Sequence, residues 1–202
     1  MTEFPCNKCN MPDGESNRVP TYYREKHEEP TIKDSGTRLQ FESGAVRDSA
    51  EGRGRCDLLP LDTISELLEY ADEDNEMCGM RVLDYLDMFT YGDGWDMSFR
   101  HFLYEALIRF ADENSWDVPT MLLEVSKHFE DGAKKYGERN WQKGIPLHCY
   151  IDSAVRHYLK WYRGDTDERH DRAFCWNCLC AAWTMVQRPK CNDLWGTADG
   201  NG

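Results

Sequence analysis

Residues 165–186 read DTDERHDRAFCWNCLCAAWTMV, and whether their cysteines serve a metal or a helix decides the fold. Cys175 and Cys178 form a C-x-x-C, Cys180 follows two residues later, and Asn177 sits inside the pair. A four-cysteine zinc site would take Cys6 and Cys9 of CNKC as its other half, yet zinc ribbons carry such pairs in turns. At 100° per residue, Phe174, Cys178, Ala181 and Met185 make one helical stripe instead, with Cys175 beside it. Free cysteine behaves there as a small buried hydrophobe. The stretch therefore reads as a helix capped by Asp165 or Thr166 and ended before Pro189. Its sulfur is structural, no structural zinc is expected, and no βαβ pattern surrounds it to support a redox role.

The same periodicity extends upstream. Helices fit ISELLEYADEDNE after Asp62 or Thr63, MRVLDYLDMF up to YGDG, and FRHFLYEALIRFADE with apolar residues at spacings of three and four. Pro119 suits the first turn of a helix through about Tyr136, with Gly137 as its stop. CYIDSAVRHYLKWYR forms another that breaks at Gly164. No alternating strand pattern of useful length occurs, so the expected fold is all-α, a helix bundle with an irregular N-terminal segment. Residues 1–42 form that segment, 43–188 the helical domain with an inserted helical piece at about 64–118, and 189–202 a tail.

A formal charge of −13 and a pI near 4.9 argue against broad nucleic-acid binding, which needs a basic footprint. The N-terminus shows no signal-peptide apolar region, and no apolar run reaches the length of a membrane span. Reduced thiols in a cytoplasm are the expectation for nine irregularly spaced cysteines.

Chemistry-bearing residues concentrate in 119–177. Glu130 lies at the shoulder of the apolar stripe of its helix, with Lys134 four residues on, while Glu124, His128, Asp131 and Lys135 fall on the opposite side. That polar side reads either as a solvated face or as a pocket wall. The next helix offers Asp152, Arg156 and His157, the first two spaced to pair with each other. The last helix opens with Asp165, Asp167, Glu168, His170 and Asp171, ordinary partners of a helix N-terminus if nothing else acts on them. Asn177, seven residues after His170 on one face, needs a buried partner. Oxygen ligands beside basic residues suit a hard divalent ion and a phosphate chain. On this reading Mg²⁺, or Mn²⁺, is held by acids, Lys134, Lys135, Arg139 and Arg156 neutralise a triphosphate, and Tyr136 and Trp141 stack on a base. Arg47, Arg53 and Arg55 lie among three glycines in a segment that either wraps a ligand or is a solvated linker.

SGAVRD and GRGRCDLLP within 43–60, with GAKKYGERNWQKGIPLHCYIDSAVRHYLKWYRGDTDERHDRAFCWN at 132–177, resemble the dATP/dGTP diphosphohydrolase-like family common in bacteriophages, related to MazG-like pyrophosphatases. The matching positions include Gly44, Ala45, Arg47 and Asp48, then Gly52, Arg53, Arg55, Asp57 and Pro60. In the second block they include Lys135, Tyr136, Asn140, Trp141, Arg156, His157, Asp167, Glu168, His170, Trp176 and Asn177. The resemblance implies an oligomeric α-helical enzyme cutting purine dNTPs between the α and β phosphates with a divalent metal. It assigns the metal and attacking water to Asp167, Glu168 and His170 with Asp152 or Glu130, and places His157 in the catalytic set. Lys135, Arg139 and Arg156 would hold phosphates, Asn177, Tyr136, Asn140 and Trp141 would shape the sugar–base pocket, and the arginines of 47–55 would close over the nucleotide. The E-x-x-E helix of MazG proteins has no counterpart in 119–136, although Glu168-x-x-Asp171 fits the second half of that pattern. Two other readings stay open: an HD-type phosphohydrolase built on His170–Asp171, and a nucleotide-sequestering or host-protein-binding protein that needs the basic cluster but not the acids.

Overall fold

The computed structural model describes residues 36–72, 80–92 and 99–194. Cys6, Cys9 and the rest of residues 1–35 lie outside them, as do 195–202. The described residues divide into two units, 36–49 and 50–194.

The first unit is a small antiparallel hairpin of β1 (Arg38–Gln40) and β2 (Val46–Asp48), with Leu39 opposite Arg47. Gly44 turns the chain at φ 83 and donates its N–H to Phe41 O at 2.8 Å. Strands of three residues are too short to leave an alternating pattern in the sequence, which accounts for their absence from the expected elements.

The second unit is the all-α bundle expected: α1 (Leu61–Asp72), α2 (Val82–Tyr91), α3 (Arg100–Glu113), α4 (Val118–Tyr136), α5 (Leu147–Arg163) and α6 (His170–Gln187). Helix α6 packs against α1, α3, α4 and α5, while α2 lies on α3 and α5. This enclosure explains the unusual composition of α6. Beyond the stripe of Phe174, Cys178, Ala181 and Met185, most residues between them, including Leu179, Cys180 and Ala182, are also buried, with Trp176 partly so. A helix apolar on every side is one that the core surrounds. Cys175, Cys178 and Cys180 are free thiols inside that core, and burial pushes each thiol up. Asn177 finds its buried partner one turn back, donating Nδ2 to the Ala173 carbonyl at 2.8 Å.

Helix ends follow local chemistry. Asp117 caps α4 by accepting from Thr120 N at 2.8 Å, and Gly137 ends it at φ 89. Gly164 ends α5 in the left-handed region at φ 85. One start differs from expectation: α6 begins at His170 and not at Asp165 or Thr166. Asp165 and Asp167 do not cap it. Arg163 Nε donates to Asp165 at 2.8 Å and Lys160 Nζ to Asp167 at 3.0 Å, so the acids lie in the α5–α6 loop, gathered toward α5.

The segment 64–118 contributes Leu103, Leu107 and Phe110 to the same core that receives Phe174. Phe110 meets Phe174 at 4.3 Å, Trp161 at 4.7 Å and Tyr158 at 6.0 Å between ring centroids. Among the described residues no helix is long and apolar enough to cross a membrane.

Candidate functional site

Helices α4, α5 and α6 and the 3₁₀ turn Asn140–Lys143 enclose a cavity of about 410 Å³. Its wall combines Phe129, Tyr136, Trp141, Ile145 and Trp176 with the polar Arg139, Asn140, Ser153, His128, His157 and Asn177. An apolar cleft of this volume with a few convergent polar groups is what a small organic ligand requires. Trp141 packs edge-on against Phe129 and Trp183, and its Nε1 is buried without a hydrogen-bond partner. Arg139 holds the left-handed conformation at φ 55, unusual for a side-chain-bearing residue, and its Nη2 donates to the Asp57 carbonyl at 2.9 Å.

His157 belongs both to this wall and to a cluster beside it. Ligand atoms of His157, Glu168 and His170 lie within 4.8 Å of one another, as do those of Asp165, Asp167 and His170. His170 Nε2 meets Asp167 Oδ1 at 2.8 Å, and His170 Nδ1 meets His157 Nδ1 at 2.9 Å. Two facing ring nitrogens share one proton. With Nε2–H of His170 donated to Asp167, its Nδ1 accepts from Nδ1–H of His157, and Nε2 of His157 keeps a lone pair. Burial holds His157 below the ordinary histidine range, with His170 and Arg156 adding to the effect and Glu168 opposing it. His157 is thus neutral near neutrality. Hydrogen bonds from His170 and Lys160 hold Asp167 down at about 2, so that carboxylate stays ionised.

The donor set fits a divalent ion. Asp165, Asp167 and Glu168 supply carboxylate oxygens, the ligands of Mg²⁺ or Mn²⁺, while His170 would ligate only on giving up its contact to Asp167 or His157. Asp171 does not join the cluster: Arg169 Nη2 donates to it at 2.7 Å and its own neighbour Arg172 N at 2.8 Å. The His170–Asp171 pair of the HD-type reading is therefore split between two environments.

Other expected site residues stand elsewhere. Asp152 and Arg156 pair with each other at 3.1 Å on an exposed part of α5, where both line a shallow depression with Leu159 and Lys160, and Arg156 Nη2 also donates to Oγ of the wall residue Ser153 at 2.8 Å. Lys135 lies over the Tyr136 ring at 4.8 Å and is exposed. Arg47 is exposed on β2 of the hairpin unit, and Arg53 is exposed in the 50–55 loop. Arg55 is occupied by Asp57 at 2.7 Å and Glu138 at 2.9 Å.

Glu130 has a role that its sequence spacing did not suggest. It is buried, and its two oxygens accept from Gly52 N and Gly54 N, each at 2.9 Å, while Lys134 Nζ stands 2.8 Å away. It fastens the 50–55 loop to α4. Gly54 is obligatory there, since its φ is +92 and an added Cβ would lie 2.0 Å from Ser126 Oγ. The N–H of Gly52, then Lys134, then the N–H of Gly54 hold the carboxyl down at about 2 from 4.5, against burial. Glu130→Gln offers a single oxygen to two N–H groups and is expected to cost about 1–3 kcal/mol near neutral pH, read from urea midpoints. A depressed carboxyl stabilises fully above its unfolded value of 4.5 and loses that contribution as pH falls toward about 2. The gap between wild type and Glu130→Gln should accordingly be widest above about pH 6 and close in acid.

The sequence reading missed Phe129, Ser153 and Ile145 as wall residues, left His128 open between a solvated face and a pocket wall, and gave Trp176 no role in the site. His128, Gly132 and Tyr136 follow one another at intervals of four along α4, a row the cavity uses. Burial lowers His128, whose ring lies 5.8 Å from Trp176.

Fold and site together define a helical-bundle protein in which a small-molecule cavity abuts a histidine–carboxylate cluster. Residues 106–194 match the model of a family described as dATP/dGTP diphosphohydrolase, N-terminal, and the family resemblance of the sequence is borne out over that stretch. The match takes in the whole cluster and every cavity residue named above, and it starts inside α3, within the segment read as an insertion. No curated protein and no solved structure matches the chain.

Proposed function

We propose that the chain hydrolyses purine deoxynucleoside triphosphates to the monophosphate and pyrophosphate with a divalent metal ion. The observation that carries this reading is His157, which is at once a wall residue of an aromatic-lined cavity and a member of the acid–imidazole cluster. The family name supplies the substrate class.

The base and sugar occupy the cavity between Tyr136, Trp141 and Trp176, with Asn140 and Asn177 offering amide groups to a purine edge or sugar hydroxyl. Arg139 reaches the phosphates. Glu168 and the acids of the α5–α6 loop would hold the ion, which would polarise phosphoryl oxygens and bind water, while His157 and His170 stay in the proton chain. His157 Nε2 takes a proton from the water that attacks the α-phosphorus. A P–O bond forms to that water, the bond to the α–β bridging oxygen breaks, and pyrophosphate departs. Asp167 keeps His170 in the tautomer that leaves this lone pair available.

Incubation of the purified chain with each dNTP and NTP plus Mn²⁺ or Mg²⁺, with products resolved by ion-exchange chromatography, tests the reading. The expected products are dAMP or dGMP and pyrophosphate. Nucleoside plus triphosphate, or intact nucleotides under all conditions, would overturn it.

A further inference from the structure

A second nucleophile-bearing constellation stands at the start of α5, built from residues that neither line the cavity nor belong to the cluster. His148 Nε2 lies 3.2 Å from Cys149 Sγ. On the other side of the same ring, Nδ1 meets the Asp193 carboxylate, which also accepts the main-chain N–H of His148 at 3.1 Å. Asp193 thus grips His148 at two points. An Nδ1–H donated to a carboxylate fixes the tautomer, so Nε2 faces the sulfur with its lone pair. Cys149 is the third residue of a 17-residue helix, where the unsatisfied N–H groups of the first turn favour negative charge. Access is open: Cys149 is half-buried, and the side chains of His148 and Asp193 are 59% and 40% exposed.

We propose that Cys149 is a reactive thiol, activated by His148 and positioned through Asp193, that is modified by soft electrophiles and by hydrogen peroxide. The thiol proton passes to His148 Nε2, and the sulfur attacks one peroxide oxygen. An S–O bond forms as the O–O bond breaks, the departing hydroxide takes the proton back from His148, and the products are water and a Cys149 sulfenic acid. Sulfur is oxidised by two electrons and the peroxide reduced by two. Cys56, an exposed free thiol, is the internal reference. The buried Cys175, Cys178 and Cys180 are shielded from the reagent.

The test is limited alkylation of the intact chain with iodoacetamide near neutral pH, read cysteine by cysteine by peptide mass spectrometry. Cys149 is expected to label about tenfold faster than Cys56, and after hydrogen peroxide treatment dimedone is expected to trap a sulfenic acid at Cys149. His148→Ala should bring Cys149 down to the rate of Cys56. Asp193→Asn should slow it partway, and Asp193→Glu should restore most of the rate, a rescue that a purely packing role for Asp193 would not give. Labelling of wild-type Cys149 at or below the rate of Cys56 overturns the proposal without any variant. So does a Cys149 rate indifferent to His148→Ala.

Discussion

Asp167→Asn together with Glu168→Gln is expected to lower kcat/KM for dATP and dGTP by about 10³-fold or more. Two effects combine. The substitutions remove two negative charges from the proposed metal-holding set, and they remove the anionic acceptor that orients His170 and, through it, His157. Neutralising the orienting carboxylate of a comparable acid–histidine chain costs about 10⁴ in kcat on its own, so 10³ is a conservative figure. The loss should fall in kcat more than in KM, since the proposed base-holding wall of Tyr136, Trp141 and Trp176 is untouched. Asp167 and Glu168 are exposed loop residues, and exposed substitutions usually change stability by less than about 0.5 kcal/mol. The double variant should therefore melt with the wild type by circular dichroism. Full turnover in a folded double variant would remove the cluster from the reaction.

Phe110→Ala is expected to cost about 3–5 kcal/mol of unfolding free energy, measured by urea denaturation. The ring is fully buried and meets three aromatic neighbours from two helices, Tyr158 and Trp161 on α5 and Phe174 on α6. None of them can collapse into the space without abandoning its other contacts, so most of the cavity term is retained. The value also separates two pictures of α3. A loosely added piece would lose little when one ring is trimmed, whereas a wall of the main core would lose the full amount. A cost below about 1 kcal/mol would show that α3 adds little to the core.

The helices were legible because their signals are local. Pro119, Gly137 and Gly164 mark ends through their own backbone preferences, and the apolar spacing of 99–113 stands out from sequence alone. The start of α6 was not. Five acidic or imidazole residues at 165–171 look like dipole partners of a helix N-terminus, but the ion pairs of Asp165 and Asp167 to Arg163 and Lys160 keep them in the preceding loop. Glu130 was opaque for another reason: its partners stand 78 and 76 residues away, and no periodicity reports on contacts at that range. Likewise, Tyr136, Asn140, Trp141, His157 and Asn177 were identifiable as a group through a family pattern, while the wall residues His128 and Ser153 depend on which way α4 and α5 face. Asp152 and Arg156 show the converse, a pair at spacing four that forms as the sequence suggests.

The enclosure of α6 has a bearing on how the chain reaches its native state. Helices α1, α3, α4 and α5 all rest on a helix that follows them in the sequence. During synthesis α2 and α3 can pack on each other, but the faces that α1, α3, α4 and α5 turn to α6 emerge first and wait, unburied, for it. The long interval before residue 187 clears the ribosome is when premature association with other nascent chains is most costly. Translation speed through 147–187, more than the intrinsic stability of the finished bundle, should then govern how much folded protein a cell recovers.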